Sequence, residues 1–253
     1  MRSTDSDLRQ PKIERPEALR LGADEYLRVV DLLNRFGPED WDKPTDCTEW
    51  SVHQLVAHVV GAAAMAASMR ESLRQNRIAS KRPGGEATTV DALGALQVRE
   101  FGRRTPEELV AMLAELGPRV ARGRRRAPGL LRRRSMPETE VINGIPERWS
   151  FGYLLDIILT RDPWMHRIDL CRATGHPLRL TAVHDGRIVE DVVREWAQRH
   201  GKPYRLTLTG PAGGTWTSPD GDGEPFELDA IEFCRALSGR GPAGPPLGTE
   251  VPF

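Results

Sequence analysis

The chain has 253 residues and a mass of 28.2 kDa, with 36 basic and 36 acidic side chains and a sequence pI near 7.0. That length is enough for one large domain or two modest ones with a real core, and the cancelled charge argues against a general polyanion binder. The longest apolar stretch, Leu55 to Met69, is interrupted by His58 and is shorter than the roughly 20 residues a bilayer demands.

In chain order, the first fifteen residues are polar, have no signal-peptide core and are expected to be disordered. From Pro16 to Phe36 the residues Leu19, Tyr26, Leu27, Val30 and Leu33 recur at helical spacing, and Gly37-Pro38 stops that helix. Ser51 with Gln54 forms a capping box that starts a second helix, expected to fade near Gln75, with Trp50 and Leu55 placed as a hydrophobic staple. Residues 88–103 predict a weaker helix, and Thr105-Pro106-Glu107-Glu108 opens a stronger one that Gly117-Pro118 is expected to kink or end. Eight arginines between Arg119 and Arg134, broken by glycine and proline, are expected to form a solvated loop rather than a nucleic-acid surface. After a turn at Asn143-Gly144, residues 150–174 predict another long helix, which completes a bundle.

The pattern then changes. A helix over 183–200, strands over 204–210, GTWTS and PFEL, and a final helix capped by Asp229 predict a small α/β domain. The fold class is thus a four-helix bundle followed by an α/β domain. The expected division is a disordered tail at 1–15, the bundle at 16–176, the α/β domain at 177–240 and a flexible tail at 241–253.

Two of the six histidines stand where chemistry could occur. His58 lies on the inner side of its helix, and His166 follows Asp162 by four residues, so both side chains share a face one turn apart. Two imidazoles and one carboxylate with an open position form the ligand set of a catalytic zinc or non-haem iron site. The same spacing also occurs in surface pairs, and a lone inward histidine is commonly a satisfied core residue. Pro163 is tolerated if Asp162 caps a new helical segment with the proline at its first position. Asp169 shares the face and is placed either to accept a hydrogen bond from a ligating imidazole or to pair with an arginine. Cys47, Cys171 and Cys234 form no CxxC pair, which argues against a disulfide framework or cysteine zinc cluster. With no signal-peptide core and no span long enough for a bilayer, this predicts a reduced, soluble, cytoplasmic protein; separately, only four of the 36 basic residues are lysine, as in a GC-rich actinobacterial genome.

The string WDKPTDCTEWSVHQLVAHVVG (41–61) resembles the amino-terminal signature of the mycothiol-dependent maleylpyruvate isomerase family within the DinB-like superfamily. RDPWMHRIDLCRATG (161–175) is similar to its second signature, and ELDAIEFCRALSGR, ending at Arg240, to the close of its accessory α/β domain. The resemblance implies a divalent metal, usually zinc, held by His58, Asp162 and His166, and an arginine at Arg240 that binds an anionic substrate. Apart from the resemblance, Arg240 reads as a C-terminal helix charge that complements the helix dipole. The isomerase itself carries glutamate where this chain carries Asp162. The implied activity is isomerisation or S-transfer by a metal-activated mycothiol thiolate on a small acidic or electrophilic substrate. The alternatives are a thiol-independent metal enzyme of specialised metabolism and a non-catalytic DinB-like binding module.

Overall fold

The computed structural model describes residues 8–82, 88–219, 221–242, 244 and 247–253. They form two compact units, one from residues 15–129 and 162–177, the other from 8–14, 130–161 and the described residues of 178–253. The expected helical bundle and the small α/β region are both present. The chain passes between the units more often than a single boundary at 176 implies, because residues 130–161 pack with the α/β unit.

The helical unit contains α1 (Arg15–Leu33), α2 (Val52–Ala67), α3 (Met69–Ala79), α4 (Thr89–Phe101), α5 (Pro106–Arg126) and most of α8 (Leu159–Thr174). Its core is a set of inward aliphatic side chains: Leu21, Val29 and Leu32 from α1, Leu55, Val56 and Val59 from α2, and Leu109, Leu113 and Val120 from α5. Helix α2 packs on both α4 and α5, and α1 packs on α5.

Hydroxyl caps set the helix starts. Ser51, Thr88 and Thr105 each accept from the backbone three residues on, and Gln54, Asp91 and Glu108 close the reciprocal bond. The same chemistry splits the single helix expected from Ser51 to Gln75. Ser68 adopts an extended conformation, ends α2 and accepts the Glu71 N–H to begin α3.

Pro118 does not end α5, which runs through it to Arg126. Much of the arginine run is therefore helix rather than loop. Arg124 is 2 % exposed, and its Nη2 donates to the Ala18 carbonyl at 3.2 Å. Gly22 makes room for it, since a Cβ there would lie 1.8 Å from the guanidinium.

Among its described residues the α/β unit has two small sheets. In the first, β1 (Leu8–Arg9) lies parallel to β3 (Ile145–Ser150), which pairs antiparallel with β2 (Ser135–Ile142). Asn143 and Gly144 both take positive φ in the connecting hairpin turn. The strand at Leu8–Arg9 corrects the expectation of a wholly disordered start; Met1–Asp7 lie outside the described residues. In the second sheet β4 (Arg205–Thr209) is flanked by antiparallel β5 (Gly214–Thr217) and parallel β6 (Pro225–Asp229).

Helices α9 (Arg187–His200) and α10 (Ala230–Leu237) complete this core, with Trp196 and Phe233 in edge contact at 5.4 Å. The segment expected to be a loose tail carries buried Leu247 and Val251, and the Val251 N–H donates to Leu237 at 3.0 Å. Most of the short helix α6 (Gly129–Arg132) and all of α7 (Phe151–Tyr153) also belong to this unit. Among the described residues no helix is long and apolar enough to cross a membrane.

The long helix expected at 150–174 is a run of α7, a π turn (Leu154–Ile158) and α8. Pro163 lies inside it, so Asp162 is a helical residue and not a cap. The π turn ends at Leu159, whose ψ of 3° departs from helical geometry. Leu159 is four residues before Pro163, where a proline ring crowds the carbonyl, so the distortion falls where it is needed.

Candidate metal centre

Helix α2 contributes His58, and α8 contributes Asp162, His166 and Asp169, spaced so that all three face one side. Nε2 of His58 lies 3.7 Å from Asp162 Oδ1, and Nε2 of His166 lies 3.3 Å from the same oxygen. The two rings stand nearly perpendicular, with centroids 5.1 Å apart. One donor atom from each of His58, Asp162 and His166 falls within 4.8 Å of the others. The residues predicted from spacing are thus brought together inside one unit.

Each imidazole is held differently. His166 Nδ1 donates to Asp169 Oδ2 at 3.1 Å, and Asp169 is fully buried. That bond orients the ring so that Nε2 faces Asp162. His58 packs against the Trp50 ring, with centroids 4.9 Å apart, and its buried Nδ1 has no hydrogen-bond partner among the described residues. Gly94 on α4 lets Trp50 approach, because a Cβ there would meet its ring at 3.1 Å. Trp50, expected as a staple, therefore lies on a candidate ligand.

The electrostatics favour an ionised carboxylate. Burial alone pushes Asp162 up, but the charge of His166 and hydrogen bonds from both histidines outweigh it and hold Asp162 well below the ordinary range. Burial alone would lower His166, and Asp162 foremost, then Asp169 and Cys47, reverse that and raise it well above its usual value. Two imidazoles sharing one anionic oxygen, with one ring oriented from behind, form a donor set suited to a divalent metal. Asp162 and His58 remain partly exposed, so the cluster is open to a ligand.

Cys47 also reaches this cluster, though no spacing in the sequence marks it. Its Sγ lies 3.7 Å from Asp169 Oδ2 and 4.0 Å from His166 Nδ1. Spacing could not reveal this contact, because residues 47 and 166 are joined only by the fold. Arg240 belongs to the α/β unit. It lines a cavity of about 240 Å³ with Leu237, Ser238, Glu250 and Phe253.

A helical bundle with a His/His/Asp cluster between its helices, continuous in sequence with a small mixed α/β unit, defines the class of protein. The sequence profile of the mycothiol maleylpyruvate isomerase N-terminal domain matches residues 23–171. The chain belongs to that family, which is one of enzymes. Two solved structures share the fold over 95 % of this chain and 93 % of their own, each with a TM-score of 0.57. One is the mycothiol-dependent maleylpyruvate isomerase, at 16 % identity, and the other its histidine-to-alanine variant, at 15 %. No curated protein sequence matches the chain.

Proposed function

We propose that the chain is a metal-dependent enzyme of the mycothiol-dependent isomerase or S-transferase type, with His58, Asp162 and His166 holding one divalent ion of the zinc kind. The observation that carries this reading is the convergence of three donor groups on α2 and α8, two of them on a single carboxylate oxygen. A zinc ion in such a set lowers the pKa of a coordinated thiol, so that thiolate is available near neutral pH.

The chain's own residues prepare the site. Asp169 holds the His166 ring in one orientation, Trp50 fixes the plane of His58, and Asp162 supplies the negative charge that offsets a cation. Arg240 is assigned the anchoring of an anionic small-molecule substrate, on the strength of family resemblance. Mycothiol is the low-molecular-weight thiol this reading requires, and the cytoplasm is the compartment it suits.

Metal analysis of the purified protein tests the reading. One divalent ion per chain is expected, with its loss in a His58→Ala/His166→Ala double variant. No metal in the wild type, or full metal in the variant, would sink the idea. Calorimetric titration with mycothiol then tests the thiol: heat is expected from the metal-loaded form and is reduced in the apo form. Silence in both forms would favour a metal enzyme that needs no thiol.

A further inference from the structure

The loop before α2 grips both candidate imidazoles. It closes on itself through Thr45 N–H to Trp50 O at 3.2 Å and Trp50 N–H to Cys47 O at 2.7 Å. The Thr45 hydroxyl reaches the Cys47 and Trp50 carbonyls at 3.2 and 2.9 Å. Arg172 of α8 pairs with Asp46 of the same loop at 3.2 Å. From this frame Trp50 packs on His58, and Cys47 points at the pair formed by His166 and Asp169.

We infer that Cys47 is a positioning residue of the metal centre, acting through Asp169 on His166; the inference rests on the metal reading above. Asp169 Oδ2 receives the His166 Nδ1–H at 3.1 Å and the Cys47 S–H at 3.7 Å. A carboxylate with no exposure to solvent needs such donors to stay in place. The thiol therefore fixes the oxygen that fixes the ring, one bond further out than the partners that ordinarily orient a ligating histidine. Its place on the Nδ1 side of His166, away from the Nε2 that faces Asp162, sets it behind the ligand rather than on the metal. The other two cysteines are buried, and burial pushes the Cys171 thiol up to about 11. Cys47 alone of the three is partly exposed.

The test uses the full chain loaded with zinc or cobalt(II), with affinity measured by competition against a chromophoric chelator. Cys47→Ala is expected to weaken metal binding about tenfold, in line with other outer-shell substitutions. Cys47→Ser keeps a donor at the same place and is expected to recover most of that loss, with both variants melting as the wild type does. Wild-type affinity in Cys47→Ala overturns the inference while leaving the metal reading intact. A sulfur-to-cobalt charge-transfer band that vanishes in Cys47→Ser puts the thiol on the metal and also overturns it. Failure of the wild type to take up metal overturns both.

Discussion

The consequence of a single carboxylate depends on what surrounds it, as Asp169 and Asp40 show. Asp169 reaches the centre through His166, so Asp169→Asn is expected to weaken metal affinity 10- to 100-fold while the ligands remain. Chelator competition checks this, and unchanged affinity would remove Asp169 from the site. Asp40 is far from it in role: it accepts from Lys43 Nζ at 2.6 Å, His176 at 3.0 Å and the Gly37 N–H at 2.9 Å. Burial pushes its carboxyl up, but the bonds from Lys43, His176 and Gly37 together bring it down to about 2. A folded-state pKa below the unfolded one stabilises the protein above the unfolded value and loses that stabilisation as the pH falls through the folded one. Asp40→Asn is therefore expected to cost about 1–2 kcal/mol at pH 5, after discounting for the exposure of Lys43. The deficit should shrink as the pH drops from about 4 to 2. Urea melts across that range would show it, and a deficit independent of pH would count against the assignment.

At the scale of helices, what could be read from the sequence was local. Capping boxes at Ser51, Thr88 and Thr105 announce themselves within four residues, and Asp162 with His166 announces a shared face within one turn. Features that depend on distant partners were hidden. The β2–β3 hairpin surrounds an Asn-Gly turn, yet Pro137, Pro146 and several charges blur its alternation. Arg124 and Arg132 read as part of a solvated charge run, whereas the fold buries the first against Ala18 and pairs the second with Asp156. Gly94 shows how an element can trade its own stability for the site. Gly94→Ala favours helix α4 by about 0.5–1 kcal/mol on intrinsic grounds. The new methyl group would also press the Trp50 ring from 3.1 Å toward His58. The expected outcome is a thermal midpoint that holds or rises together with a several-fold loss of metal affinity. Equal affinity in the two proteins would show that Trp50 does not hold His58.

Across the whole molecule, equal numbers of acids and bases conceal how the charges are used. Arg161 and Asp162 are neighbours in one helix, yet each belongs to a different polar cluster. Asp162 meets the two histidines of the helical unit, while Arg161 is buried in the α/β unit between Asp191 at 2.6 Å and Glu195 at 2.9 Å. Glu195 also accepts from Arg199 and from the Tyr153 hydroxyl, both at 2.7 Å, and Arg199 continues to Glu147 and Arg9. Three arginines and three acids thus form a balanced chain that runs from the buried Arg161 out to the partly exposed Arg9. Breaking such a chain at one member leaves uncompensated charge behind, which costs about 3–5 kcal/mol, far more than a surface pair. Glu195→Ala is accordingly expected to lower the stability of the folded protein by about that amount, because Arg161 and Arg199 both lose a partner. For a chain of this size a loss of that order corresponds to a thermal midpoint lower by roughly 6–20 °C. The same variant should bind metal with wild-type affinity, since none of its contacts reaches His58, Asp162 or His166. A stability change below about 1 kcal/mol would mean that the chain of charges is slack, and a change in metal affinity at unchanged stability would mean that Glu195 acts on the centre itself.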